Sequence, residues 1–98
     1  MEKMSVGQYI RKVYMEQLKI SNSDLAKALN VNPSTLTRLL SGKASCSVDM
    51  AVRLSVVFTT SPERWLNLQR TYDLQNVEVD KSKLKVLWRG EKEFGNTN

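Results

Sequence analysis

The side chains of this 98-residue chain with most chemical use crowd into one short stretch: Ser34, Thr35, Thr37, Arg38 and Ser41. Hydroxyls and one forked cation suit recognition, because none of them is a base that activates a nucleophile. An arginine fork pairs bidentately with guanine O6 and N7, and threonine offers a hydroxyl to bases or phosphates and a methyl to thymine. Lys43 follows close behind as a backbone clamp, with Lys27 a weaker one. Asn22 and Ser23 precede the stretch, where free helix N–H groups suit a phosphate oxygen. Residues 25–48 carry no acidic side chain, only the cations Lys27, Arg38 and Lys43. Taken singly, each of these groups is equally an ordinary solvated one. The missing acids tilt the segment toward a polyanion.

Composition narrows the classes further. The formal charge is +5, unevenly placed: residues 1–60 hold eight Lys/Arg against four Asp/Glu, and residues 61–98 seven against six. No histidine is present, which excludes a Ser-His-Asp triad, a Cys-His pair and a mixed His/Cys zinc site. The single thiol, Cys46, cannot close a disulfide within the chain and is expected to pack as a small apolar residue. No run approaches the ~18 apolar residues of a membrane span, and Met1-Glu2-Lys3-Met4-Ser5 opens no signal peptide. The expectation is a small soluble cytoplasmic binder with no cofactor and no metal. Catalysis is the least expected reading, since Asp24, Asp49 and Asp73 serve as helix-start and surface charges.

The elements that must position these groups are helical, in an all-α fold of five helices. The first covers about 6–18, with Val6, Ile10, Val13 and Leu18 near one face and Gly7 weakening its first turn. Ser21 caps the second, three residues before Asp24, and Leu25, Ala26 and Leu29 line its inner side. Asn32 caps the third, Pro33 takes its first position, and Gly42 ends it. A fourth opens at Ser47 and continues through Ala51, Leu54, Val57 and Phe58. A fifth opens at Ser61-Pro62-Glu63 and covers about 62–73. Residues 1–74 thus form one domain and 75–98 a tail of open structure. There, Val77-Glu78-Val79-Asp80 alternates like a strand, while Ser82 equally caps a short helix ending at Gly90. The last residues, Gly95-Asn96-Thr97-Asn98, are expected to fray.

Two short helices joined by Asn30, Val31 and Asn32 make a helix-turn-helix over about 21–42. In that arrangement the first helix crosses the phosphate backbone and holds the second with its N-terminal end in the major groove. Leu25, Ala26, Leu29, Val31, Leu36 and Leu39 supply the crossing, and the small Ala26 lets the axes approach. The fifth helix carries more large apolar groups than a monomer of this size needs: Trp65, Leu66, Leu68 and Tyr72, followed by Leu74. A symmetric dimer buries the surplus. The alternative is that Trp65 and Leu66 both enter a wide core of their own chain.

The run Pro33-Ser34-Thr35-Leu36-Thr37-Arg38-Leu39-Leu40-Ser41-Gly42-Lys43 resembles the lambda-repressor-like (XRE) helix-turn-helix family. Val48-Asp49-Met50-Ala51-Val52-Arg53-Leu54, with Ser61-Pro62-Glu63-Arg64-Trp65-Leu66-Asn67-Leu68-Gln69, is similar to the HigA-type antitoxins within it. The likeness covers about 6–74. It implies a homodimer that binds an inverted-repeat operator, represses its own operon and neutralises a HigB-type toxin, a ribosome-dependent mRNA endonuclease. The chain departs from the family pattern at Ser5-Val6-Gly7, where Pro-Gly is common, and at Asn22, where many repressors carry Gln. Two other readings stay open, a free-standing repressor of the same fold and an interaction module that has lost DNA binding. A toxin surface is not legible: Tyr9, Arg11, Lys12, Tyr14 and Glu16 on the first helix, or Lys81, Lys83, Lys85, Trp88 and Arg89 in the tail, are equally candidates and ordinary surface.

Overall fold

Serine starts most helices of this chain. In a computed structural model, which describes residues 4–90, Ser5 and Gln8 cap the first helix reciprocally, each backbone N–H donating to the other's side chain at 2.9 and 3.1 Å. Ser21 Oγ accepts from Asp24 N–H at the start of α2 (Asn22–Leu29), and Ser47 Oγ from Met50 N–H at the start of α4 (Val48–Val57). Ser61 Oγ accepts from Arg64 N–H at the start of α5 (Pro62–Asn76), which ends a turn later than its sequence spacing suggests. Only α3 (Pro33–Leu40) differs: Asn32 has the extended backbone of a cap, but its side chain makes no capping bond. Asn30 (φ 57°) and Gly42 (φ 82°) supply the left-handed residues that close α2 and the turn after α3.

The first helix departs from the spacing expected of it. It comprises Val6–Tyr9, a π-helical segment Ile10–Met15, and Glu16–Leu18. Glu16 N–H reaches Arg11 O, and Ile20 N–H reaches Met15 O, each five residues back. The wider turn advances the inward face by one residue, so Met15 follows Ile10 into the core. Val13 (40% exposed) and Leu18 (62%), expected inside, face outward instead. We call the whole element α1. Gly7, far from a weakness, is where α1 crosses α3: a Cβ there would overlap Leu39 O and stand 2.6 Å from Leu40 Cα.

The core joins Val6, Ile10 and Met15 to Leu25, Ala26 and Leu29, to Leu36, Leu39 and Leu40, and to Ala51 and Leu54. Val31, placed in the crossing by sequence, is half-buried at its edge. Trp65 is fully enclosed by its own chain, its ring centroid 5.8–6.1 Å from those of Tyr9, Tyr14 and Phe58. Tyr14 stacks on Phe58 at 4.0 Å, and Trp65 Nε1 donates to Thr60 Oγ1 at 2.7 Å. That closure removes Trp65 from any surface a second copy could touch, which corrects its assignment to a dimer interface.

From Val77 to Arg89 the chain is exposed and, apart from one short turn, has no regular structure. It forms neither the strand nor the Ser82-capped helix, and no strand occurs among the described residues. Asp80 is the cap instead, holding Ser82 N–H (3.1 Å) and Ser82 Oγ–H (2.6 Å) around one 3-10 turn, Lys81–Lys83. A strand needs a neighbour for its backbone groups, and residues 77–90 have none among the described residues. The expected fraying of Gly95 through Asn98 lies outside the described residues. Among those described, no helix is long and apolar enough to cross a membrane.

Candidate nucleic-acid interface

On α3, Leu36, Leu39 and Leu40 turn inward, and Ser34, Thr35, Thr37, Arg38 and Ser41 are all exposed. At about 100° per residue the exposed five fill a continuous arc of roughly 160°. Within it the side chains are not equivalent. Thr37 Oγ1 donates to Pro33 O (3.0 Å) and Ser41 Oγ to Arg38 O (3.2 Å), so both protons serve the helix and what faces outward is acceptor and, at Thr37, methyl. Arg38 is fixed through its backbone. Its carbonyl also accepts from Lys43 and Ala44 N–H, at 2.9 and 3.1 Å. No hydrogen bond or ion pair to a described residue holds its guanidinium.

The N-terminal end of α3 is open in a second sense. Thr35 and Leu36 N–H both donate to Asn32 O, at 3.0 and 3.2 Å, and Pro33 has no N–H. With no side chain over the first turn, it is the Ser34 amide that is presented, along with the hydroxyls of Ser34 and Thr35. Such an end is a ready site for an anionic or acceptor group. Asn22 and Ser23 are likewise exposed at the start of α2, although Asp24 in the same turn places a carboxylate beside them. Lys43 is exposed in the loop after α3, and Lys27 lies exposed in the last turn of α2.

Arg53 is the positioning group that sequence reasoning missed. Its NH1 donates to Leu29 O (2.8 Å) and Asn30 O (3.0 Å), the carbonyls at the end of α2, while its Nε pairs with Asp49 at 2.6 Å. One side chain from α4 therefore pins the turn that launches α3. The i, i+4 spacing of Asp49 and Arg53 signalled an ion pair; the carbonyls 23 and 24 residues away left no mark in the sequence.

Of the remaining apolar groups of α5 and its end, Leu66, Leu68 and Tyr72 are half-buried and Leu74 is exposed. Leu68 and Tyr72 line an open groove of ≈ 770 Å³ together with Met4, Tyr9 and Arg64, whose guanidinium donates to Tyr9 Oη at 2.7 Å. Cys46 is buried, its N–H held by Gln69 Oε1 at 2.7 Å, and burial pushes its thiol up to about 11. No group of His, Cys, Asp or Glu among the described residues is arranged to hold a metal ion.

Residues 10–65 match the helix-turn-helix family. The chain belongs to that family, in its XRE-type branch. It is 44% identical over 75 residues to the HTH-type transcriptional regulator YddM of Escherichia coli K12, covering 74% of this chain and 80% of that one. It is 31% identical over 71 residues to antitoxin HigA-1 of Vibrio cholerae, covering 72% and 67%. Among solved structures, the Pseudomonas aeruginosa antitoxin HigA with the higBA promoter superposes with a TM-score of 0.78 at 28% identity, over 89% of this chain and all of that one. HigA antitoxins are thus homologues of this XRE-type chain, and its helix-turn-helix is a DNA-binding fold.

Proposed function

We propose that this XRE-type chain is a dimeric HigA-type antitoxin, working in the cytoplasm, that represses its own operon and neutralises a HigB-type toxin. The observation that carries the DNA-reading part is the exposed arc of α3, with no side chain capping its first turn and with an Arg38 guanidinium held by no described residue, set on a turn pinned by Arg53. In this reading Ser34, Thr35 and Arg38 meet base edges, and Thr37 and Ser41 add acceptors and a methyl. Asn22, Ser23 and Lys43 hold phosphates and so set the register. Residues 1–74 act as the reading domain. Leu66, Leu68, Tyr72 and Leu74 contribute to a two-fold interface that spaces two α3 helices about 34 Å apart, on successive major grooves.

Footprinting on the chain's own promoter, followed by titration of Arg38→Ala on operator and scrambled DNA, tests this. The loss is about 1–3 kcal/mol on operator and small on scrambled DNA if Arg38 reads a base. An equal loss on both demotes it to a phosphate contact. The toxin-neutralising part is supported by the HigA homologues, and co-purification with the product of a neighbouring small basic reading frame checks it. The regulator YddM favours a second reading, a free-standing repressor, and a promoter with no such neighbour would select it.

A further inference from the structure

We propose that the tail after α5 is a second DNA contact: an arm whose Lys81, Lys83, Lys85 and Arg89 lie along phosphates flanking the operator. The proposal rests on the operator-binding reading above and deepens it. Residues 81–90 hold four cations and no acid, and acids return only at Glu91 and Glu93. All four cations are exposed. The ion pair among the described residues, Arg53 with Asp49, lies elsewhere. Asp80, the nearest preceding acid, spends its carboxylate on Ser82. A protein surface normally mixes charges of both signs. Here one sign continues unopposed along an extended segment.

The fold delivers this segment beside the reading head. Gln69 of α5 holds Cys46 N–H, and Gln69, Tyr72 and Asp73 share a cleft of ≈ 140 Å³ with Gly42, Ala44 and Ser45. The loop that carries Lys43 therefore adjoins the last turns of α5, and the tail departs about one turn further on. A radius of gyration of 17.7 Å, against about 13 Å for a compact chain of this length, means that the described part of the tail, residues 77–90, stands away from the bundle. Residues 77–90 can reach on the order of 45 Å when extended, more than ten base pairs of duplex at about 3.4 Å each. Once α3 has docked, the flanking phosphates are held at high effective concentration before the arm, so contacts too weak to act alone contribute. An acidic protein surface has no such tether on this chain, which is why duplex DNA is the occupant argued for.

The test uses the full chain and two duplexes from its own promoter, one cut at the footprint and one extended by about a dozen base pairs on each side, a length matched to the reach above. The variant combines Lys81→Gln, Lys83→Gln, Lys85→Gln and Arg89→Gln; because all four side chains are exposed, its melting temperature should match the wild type. The wild type should bind the long duplex more tightly and with a steeper salt dependence, and the variant should bind both duplexes alike. Four phosphate contacts per chain, eight for the dimer, correspond to about 7 in the slope of log K against log salt. The advantage of the wild type on the long duplex should then shrink by roughly four powers of ten between 50 and 200 mM salt. Equal slopes for wild type and variant on the long duplex overturn the proposal. So does a loss of the same size on both duplexes, which would put the cations elsewhere. Failure of the parent reading shows separately, as a wild type that does not prefer its promoter to scrambled DNA, and that outcome overturns the arm as well.

Discussion

Arg53→Ala separates holding the reading helix from reading with it. The substitution removes two charge-assisted hydrogen bonds, at 2.8 and 3.0 Å, to the carbonyls that end α2. It also removes an ion pair to Asp49, whose side chain is 73% exposed. The pair is worth only about 0.3–0.5 kcal/mol at such exposure. A single hydrogen bond to a charged group contributes about 1.5–3 kcal/mol. Water can replace part of the loss at the exposed Asn30, so the total should be about 2 kcal/mol. For a domain of this size that is a fall in Tm on the order of ten degrees. Operator titration well below the new Tm isolates the second effect, because the variant is then still folded. With its turn unpinned, α3 should bind operator about tenfold more weakly, or about 1.4 kcal/mol. Arg53→Lys should recover less than half of both losses, since an ammonium lacks the fork that holds two carbonyls and a carboxylate together. An Arg53→Ala protein that melts within a degree of wild type, or a lysine variant that restores everything, refutes the reasoning.

Other outcomes follow from the same geometry. Gly7→Ala should lower Tm, because the new Cβ meets backbone at 2.6 Å from Leu40 Cα and 2.7 Å from Leu40 O, and backbone cannot rotate away. The overpacking, about 1–3 kcal/mol, outweighs the roughly 1 kcal/mol an alanine gains in helix propensity; calorimetry with no loss of Tm contradicts the crossing. Cys46 should resist alkylation in the folded chain up to about pH 11, while the unfolded chain reacts from near 9.0. Its raised folded pKa means that the fold binds the thiol proton more tightly, so stability should decline as pH rises from about 9 to about 11. Mass-spectrometric labelling against pH checks the first statement and denaturant titration the second.

Local chemistry made much of this fold legible. Ser21, Ser47 and Ser61 each cap a helix within three residues of themselves, and Pro33, Pro62 and Gly42 act at their own positions. The polar arc of α3 was legible for the same reason, since inside and outside alternate on one short helix. What failed depended on distant partners or an altered pitch. Val13 and Leu18 were misplaced because spacing was judged at 3.6 residues per turn, whereas the π segment carries five-residue bonds. Trp65 was given to an interface because nothing local reveals that Tyr9, Tyr14 and Phe58 converge on it from two other helices. The Arg53 grip escaped notice because its acceptors are main-chain carbonyls, which every residue has.

The contact at Gly7 has a mechanical consequence. Where α1 meets Leu39 and Leu40 there is no side chain to yield, so the two helices share displacement as gears do when the clearance is gone. A protein that grips the outer side of α1 and tilts it would drag α3 out of register with a groove, and occupancy of one surface would be transmitted to the other without any intervening relay.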